Sequence, residues 1–290
     1  MRSQKIEFRQ TRDFGEIINA TFQFIQQNFR LFLTSILYIA GPFALLAGLC
    51  IGIFQSYALQ PLEGLPYSIT AIFVYVPAFL LASVAVMATV YHFVYLYMER
   101  RHFEVSDVWQ RVRKDLVRLF FSTIGVAILS TLGMFLCFLP GIYLFFALVP
   151  VFNIQTRERI GFFDAISRSF KLISGQWWRT FGLWIVMSIV QGLISFIIVS
   201  PFFVAMGVMG FLNLGKTADL PSSTFMLLYI IANSLNNILS LICGSIVFVA
   251  MAFHYFSLVE EKEGLGLMER IRLMGTRSEE ATEPDEEEEY

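Results

Sequence analysis

Ionisable side chains are missing from the most apolar parts of this sequence. Residues 31 to 54, 119 to 155 and 181 to 211 contain no Asp, Glu, Lys, Arg or His. Such groups are costly in lipid and persist there when they carry protons, ions or substrates, so their scarcity argues against an ion-coupled transporter or an intramembrane hydrolase. A Walker loop, HExxH, GxSxG and paired carboxylates are also lacking. Acid, base, nucleophile and metal chemistry therefore have no candidates, and no catalytic residue, cofactor or metal is assigned. The expectation is a non-enzyme.

Three cysteines, Cys50, Cys137 and Cys243, sit in separate apolar runs with neither a mate nor metal-ligand spacing, and are read as small buried hydrophobes. His92 and His254 fall near the ends of apolar runs beside Tyr91, Tyr95 and Tyr255. With no carboxylate or third ligand at hand, both are expected to pack in an interfacial aromatic belt. His102, in a basic loop, is expected to be solvated. The N-terminus has four basic residues but no short apolar region ending at a small-residue cleavage site, so the first span should act as its own insertion signal.

What the chain has is apolar bulk. Of its 290 residues 56% are hydrophobic and 31 are Phe, too much for one soluble core to hide. Several windows exceed the roughly 18 uncharged residues that mark a transmembrane helix. Spans are predicted at about 31–54, 69–98, 119–139, 141–155, 179–200 and 239–258. Gly41-Pro42 predicts a kink, Gly48 with Gly52 a close helix approach, and Pro140-Gly141 a tight turn. The fourth segment is short for a crossing and could be re-entrant. Residues 202–238 could be embedded or protrude.

Amphipathic stretches precede three of the spans. Phe14, Ile17, Ile18, Phe22, Ile25 and Phe29 share one helical face, as do Val105, Val108, Trp109, Val112 and Leu116. Interfacial helices are predicted at about 13–29, 105–118 and 160–176, the first opened by an Asp13/Glu16 capping box and the second by Ser106 as N-cap. Placing Phe22 over Phe170 also aligns Glu16 with Asp164, Ile25 with Ile173 and Phe29 with Trp177. A duplication would give three parallel helix-plus-hairpin repeats. The fold class expected is all-α: a polytopic membrane helix bundle of six transmembrane helices with cytoplasmic interfacial amphipathic helices.

Twenty of the 21 Lys and Arg fall on one side of these six spans, with only Lys216 opposite. That bias predicts both termini in the cytoplasm of a cell with the protein in its inner membrane. Residues 1–12 form the cytoplasmic N-terminus, 13–259 the membrane domain, and 260–290 a cytoplasmic tail whose acidic end should be disordered.

Two groups of side chains are candidate sites. Asn233, Asn237, Ser240 and Gly244 share a helical face, with Asn236 beside it. Amides facing lipid would be unsatisfied, so this face must meet other helices, water or the far interface. Interhelical hydrogen bonding is one reading; a polar cleft completed by Gln191 and Ser195 is the other. The basic residues Arg157, Arg159, Arg168, Lys171, Arg179, Arg111, Arg113 and Lys114 flank the interfacial helices, either to orient the chain by snorkelling or to bind anionic lipid headgroups. Nucleic acid is not expected as a partner; the bilayer, anionic lipids and other membrane proteins are.

Residues 139 to 182 resemble bacterial membrane proteins related to the membrane domain of glycerophosphoryl diester phosphodiesterases. The resemblance rests on Leu139-Pro140-Gly141, Pro150, Ala165 with Ser169-Phe170, and Gly175 with Trp178. It implies an architecture only, because the catalytic barrel that gives the family its name has no counterpart here. The function expected first is a membrane scaffold that organises lipids or partner proteins. The second is a facilitator or exporter of a hydrophobic or zwitterionic solute, which requires a cavity in the bundle, and the last is a lipid-modifying enzyme.

Overall fold

The computed structural model describes residues 6–58, 65–100, 102–213, 222–264 and 268. Among the described residues the fold is all-helical, 89% helix with no strand. In order the helices are α1 (Phe14–Ile39), α2 (Gly41–Ala58), α3 (Leu65–Glu99), α4 (Val105–Leu136), α5 (Phe138–Ala147), α6 (Val151–Glu158), α7 (Phe162–Ile173), α8 (Trp177–Asn213) and α9 (Ser222–Glu263). Among the described residues five stretches are long and apolar enough to cross a membrane, and a sixth if α1 and α2 count as one bent span. The molecule is a polytopic helical membrane protein.

Helix ends follow stop signals, not changes in hydropathy. No break separates residues 13–29 from the first apolar run. α1 continues to Ile39 and bends by 58° into α2 at Ala40, beside Gly41-Pro42. Likewise 105–118 is continuous with the third span in α4, because nothing between Arg118 and Leu119 ends a helix. Only α7 stands alone among the three predicted interfacial helices. Gly175, at φ +82, makes the turn into α8, and such a backbone favours glycine. The residue aligned with it in the first copy is Gln27, so that helix runs on.

Other local expectations shift for similar reasons. Glu16 accepts the Asp13 backbone N–H at 2.9 Å, as a capping box requires. The start of α4 is capped at Glu104 instead of Ser106, with Asp107 accepting the Glu104 N–H at 3.0 Å. Pro140-Gly141 is not a turn but lies in the first turn of α5, where proline removes no intrahelical bond. The chain reverses one step earlier, at the extended Cys137. That cysteine is exposed, against the expected burial, while Cys50 is half-buried and Cys243 buried. The helices holding residues 202–213 and 222–238 are continuous with the neighbouring spans. At about 1.5 Å per residue α8 is roughly 55 Å long, more than a hydrocarbon core of about 30 Å. Most of the acidic tail and Lys216 lie outside the described residues.

The predicted fourth span is a broken helix. Pro150 has no N–H to give, and the chain turns over residues 148–150 between α5 and α6. The Ala147 carbonyl freed by the break accepts the Ser169 hydroxyl of α7 at 2.6 Å, with both residues fully buried. Trp177 donates its indole N–H to the Tyr143 carbonyl at 3.1 Å, and Arg118 donates to the Gln155 carbonyl at 2.9 Å. Gly141 lets α5 lie on α4, since a β-carbon there would come within 2.6 Å of the Met134 Cα. Removing the Ser169 hydroxyl strands a buried carbonyl, so Ser169→Ala should cost about 1–3 kcal/mol. Thermal unfolding of the detergent-solubilised protein measures it.

An aromatic core joins the helix ends. Phe8 stacks on Phe253 at 4.1 Å, and Phe24 meets Phe93, Tyr97 and Phe253 edge-on. Phe8, in the segment before α1 that the sequence assigns to the cytoplasmic N-terminus, is thus part of the bundle. Arg12 is buried, gives its N–H to Ser257 Oγ at 3.0 Å and lies over the Phe253 ring at 5.2 Å. Burial pulls its guanidinium below the usual pKa, opposed by Glu16 and Glu7.

Candidate functional site: a cavity inside the bundle

Small residues on α3, α8 and α9 leave room between large ones. Along α9 the residues Asn237, Ser240, Leu241, Gly244, Val247, Phe248 and Met251 fall at helical spacing and face a cavity of about 360 Å³. Ser83, Met87 and Tyr91 of α3 form a second wall, and Trp184, Ser188 and Gln191 of α8 a third. Val126 of α4, with Phe145 and Phe152 on either side of the Pro150 break, closes the remainder. Along α3 the cavity runs from roughly 12 to 30 Å beyond Glu99, inside the apolar layer.

Its chemistry is apolar with one neutral hydrogen-bonding cluster. Gln191 donates to the Ser240 carbonyl at 3.4 Å and lies 3.8 Å from where a Gly244 β-carbon would be. The Asn237 Oδ1 is buried without a hydrogen bond. Among the described residues no Asp, Glu, Lys, Arg or His lines the cavity. Of the seven residues proposed for the cleft, four, Asn237, Ser240, Gly244 and Gln191, come together at the cavity. Asn233 is buried and Asn236 half-buried, both outside the cavity lining. Ser195, one turn beyond Gln191, is also outside the lining, and its Oγ is buried without a hydrogen bond.

The charged end of the bundle is a layer of ion pairs. Glu99 takes Arg111 at 2.7 Å and Arg157 at 3.0 Å. Arg168 joins Glu158 at 3.1 Å and also Glu263, and these two carboxylates raise its pKa above the usual arginine value. Arg179 pairs with Glu261 at 3.1 Å. Four of the eight candidate lipid-binding residues are therefore engaged by carboxylates. Arg113, Lys114, Arg159 and Lys171 are exposed and form no ion pair among the described residues.

Neither buried histidine is only packed among aromatics. His92 Nε2 lies 3.1 Å from Asp115 Oδ2, a carboxylate 23 positions away that hydropathy could not bring to it. His254 Nε2 is 2.8 Å from the Thr180 hydroxyl. A chain of polar groups, Tyr91, Tyr95, Asn153 and Gln155, lies between α3 and α6. The Tyr95 hydroxyl donates to Asn153 at 3.2 Å, while both side-chain polar atoms of Gln155 are buried without a hydrogen bond. These contacts escaped the sequence because each joins residues at least 23 positions apart on different helices. Comparison of the chain with family models, curated proteins and solved structures finds no match.

Proposed function

We propose that the protein binds, inside the bilayer, a hydrophobic or amphipathic molecule with a neutral polar group, and acts as a facilitator or exporter for it. The observation that carries this is the cavity, whose apolar walls converge on Gln191, Asn237 and Ser240. A site of this volume falls within the range of small-molecule pockets, roughly 300–1,000 Å³. Uncharged hydrogen-bonding groups in low dielectric select a neutral partner, because an unpaired charge would be costly there. The positive-inside bias supports an orientation with both termini in the cytoplasm and insertion in a bacterial inner membrane.

Trp184 in the cavity wall supplies the test. A brominated long-chain alcohol added to the protein in phosphatidylcholine nanodiscs should quench part of the tryptophan fluorescence saturably. That part should vanish in Trp184→Phe. Quenching that rises linearly and is identical in both proteins would reject the site. The scaffold reading, first on sequence, is now second, supported by the ion-paired layer that ties α3, α6, α7, α8 and α9 at one end. A lipid-modifying enzyme stays last; the His92–Asp115 pair, its best acid–base candidate, lies outside the cavity.

A further inference from the structure

The charged end contains a second recess, of about 300 Å³, between the end of α3, the first half of α4 and the end of α6. Its lining carries Arg100, Arg111, Lys114 and Arg159 against Asp107 and Asp115, with His92 at the buried side. The carboxylates already have partners. Asp107 takes Arg100 at 3.4 Å, and Asp115 is held by His92 and Arg118, both at 3.1 Å. Arg111 is matched by Glu99. Lys114 and Arg159 remain, with no ion pair among the described residues and both exposed at the mouth.

A neighbouring recess shows the contrast. It is lined by Arg9, Arg157 and Arg168 against Glu158, Glu260 and Glu263, with as many carboxylates as guanidinium groups. Arg168 there bridges two of the glutamates and Tyr255 donates to Glu158 at 2.9 Å. That arrangement is complete by itself. The recess at Lys114 and Arg159 has a surplus of two positive charges.

Backbone strain marks the same place. Arg159 caps α6 in the left-handed region, at φ 55 and ψ 28. It is the sole non-glycine residue with positive φ among the described residues. A side chain there costs about 1 kcal/mol relative to glycine. The cap itself needs no arginine, since its bond is the backbone N–H to the Gln155 carbonyl at 3.1 Å. What arginine adds is a guanidinium at the recess, close enough to Asp115 to act on it electrostatically.

We infer that this recess binds a phosphate group through Arg159 and Lys114, independently of the cavity inside the bundle. A guanidinium with a flexible ammonium beside it suits phosphate, the first by directed hydrogen bonds and the second as a mobile point charge. The phosphate can belong to a lipid headgroup or to a soluble molecule. The full-length protein in dodecyl maltoside micelles, which carry no phosphate, with phosphatidic acid or with inorganic phosphate added, separates the two. The readout is the rise in melting temperature with ligand concentration.

Arg159→Gly should melt at or above the wild type without ligand, because glycine is at ease in this conformation. Its half-saturating ligand concentration, and that of Lys114→Gln, should rise about tenfold each, as loss of one charge-assisted contact implies. Arg113→Gln, which removes a cation outside the recess, should bind as the wild type does. If Arg159→Gly folds poorly, Arg159→Asn, also tolerant of this backbone, takes its place. Stabilisation by phosphatidic acid alone assigns a lipid headgroup, and stabilisation by inorganic phosphate assigns a soluble ligand. No stabilisation by either, or an equal loss in Arg113→Gln, overturns the site.

Discussion

Gly48→Leu is expected to destabilise the bundle by about 3 kcal/mol or more, since overpacking costs roughly 1–3 kcal/mol and a buried hydrogen bond is lost with it. A β-carbon at Gly48 would lie 2.9 Å from the Ser234 carbonyl oxygen and 3.3 Å from its Cα, both backbone atoms of α9. At Gly52 it would lie 3.0 Å from the Ile230 carbonyl. The contact is shorter than side chains allow, so α2 must move away. Moving it breaks the bond from Ser234 Oγ to the Gly48 carbonyl, 2.7 Å long and buried. Ser234→Ala isolates that bond and should cost about 1 kcal/mol. The measurement is thermal unfolding in detergent together with the mass of the purified species. Had the two glycines served association between copies, Gly48→Leu would dissociate an oligomer and leave the protomer's melting unchanged. Packing inside one chain predicts the reverse.

The Gly48/Gly52 spacing was legible because small residues at i and i+4 on an apolar helix have one principal use, close approach. The kink at Gly41-Pro42 and the face carrying Asn237, Ser240 and Gly244 were legible for a similar reason: each is a local pattern with a local consequence. Helix continuity was not. Charge and hydropathy change at Arg30–Leu31 and at Arg118–Leu119, but neither change ends a helix, and α1 and α4 pass through both. Gly175, which does end one, was noted only in the family resemblance, and no local pattern marked it as a helix stop. The cavity was half visible. Its α9 face and Gln191 could be named, whereas Tyr91, Trp184 and Phe152 enter from helices whose rotation no periodicity fixes. The partners of the basic residues lay furthest from view, because Arg157 meets Glu99 across 58 positions and Arg179 meets Glu261 across 82.

Filling the cavity should separate binding from folding. Gly244 is half-buried in the α9 wall, and a β-carbon there meets nothing nearer than Gln191 Nε2 at 3.8 Å. Gly244→Leu therefore places an isobutyl group in open space beside the polar cluster. Leucine also has the better helix propensity, by about 1 kcal/mol, and the added side chain gains packing contacts with Trp184 and its neighbours. The melting temperature of the variant should match or exceed the wild type. Saturable quenching of Trp184 by the brominated alcohol should weaken more than about tenfold, since the ligand must give up a leucine's volume in a well-packed site, a penalty above 1.4 kcal/mol. Ser188→Leu does the same from the α8 wall and guards against a local distortion at Gly244. A stable Gly244→Leu protein that binds the alcohol as tightly as the wild type would show that the ligand lies elsewhere. The facilitator reading would then lose its support. Loss of binding with full stability places the ligand against Gln191, Asn237 and Ser240, where a neutral polar group can be satisfied within the bilayer.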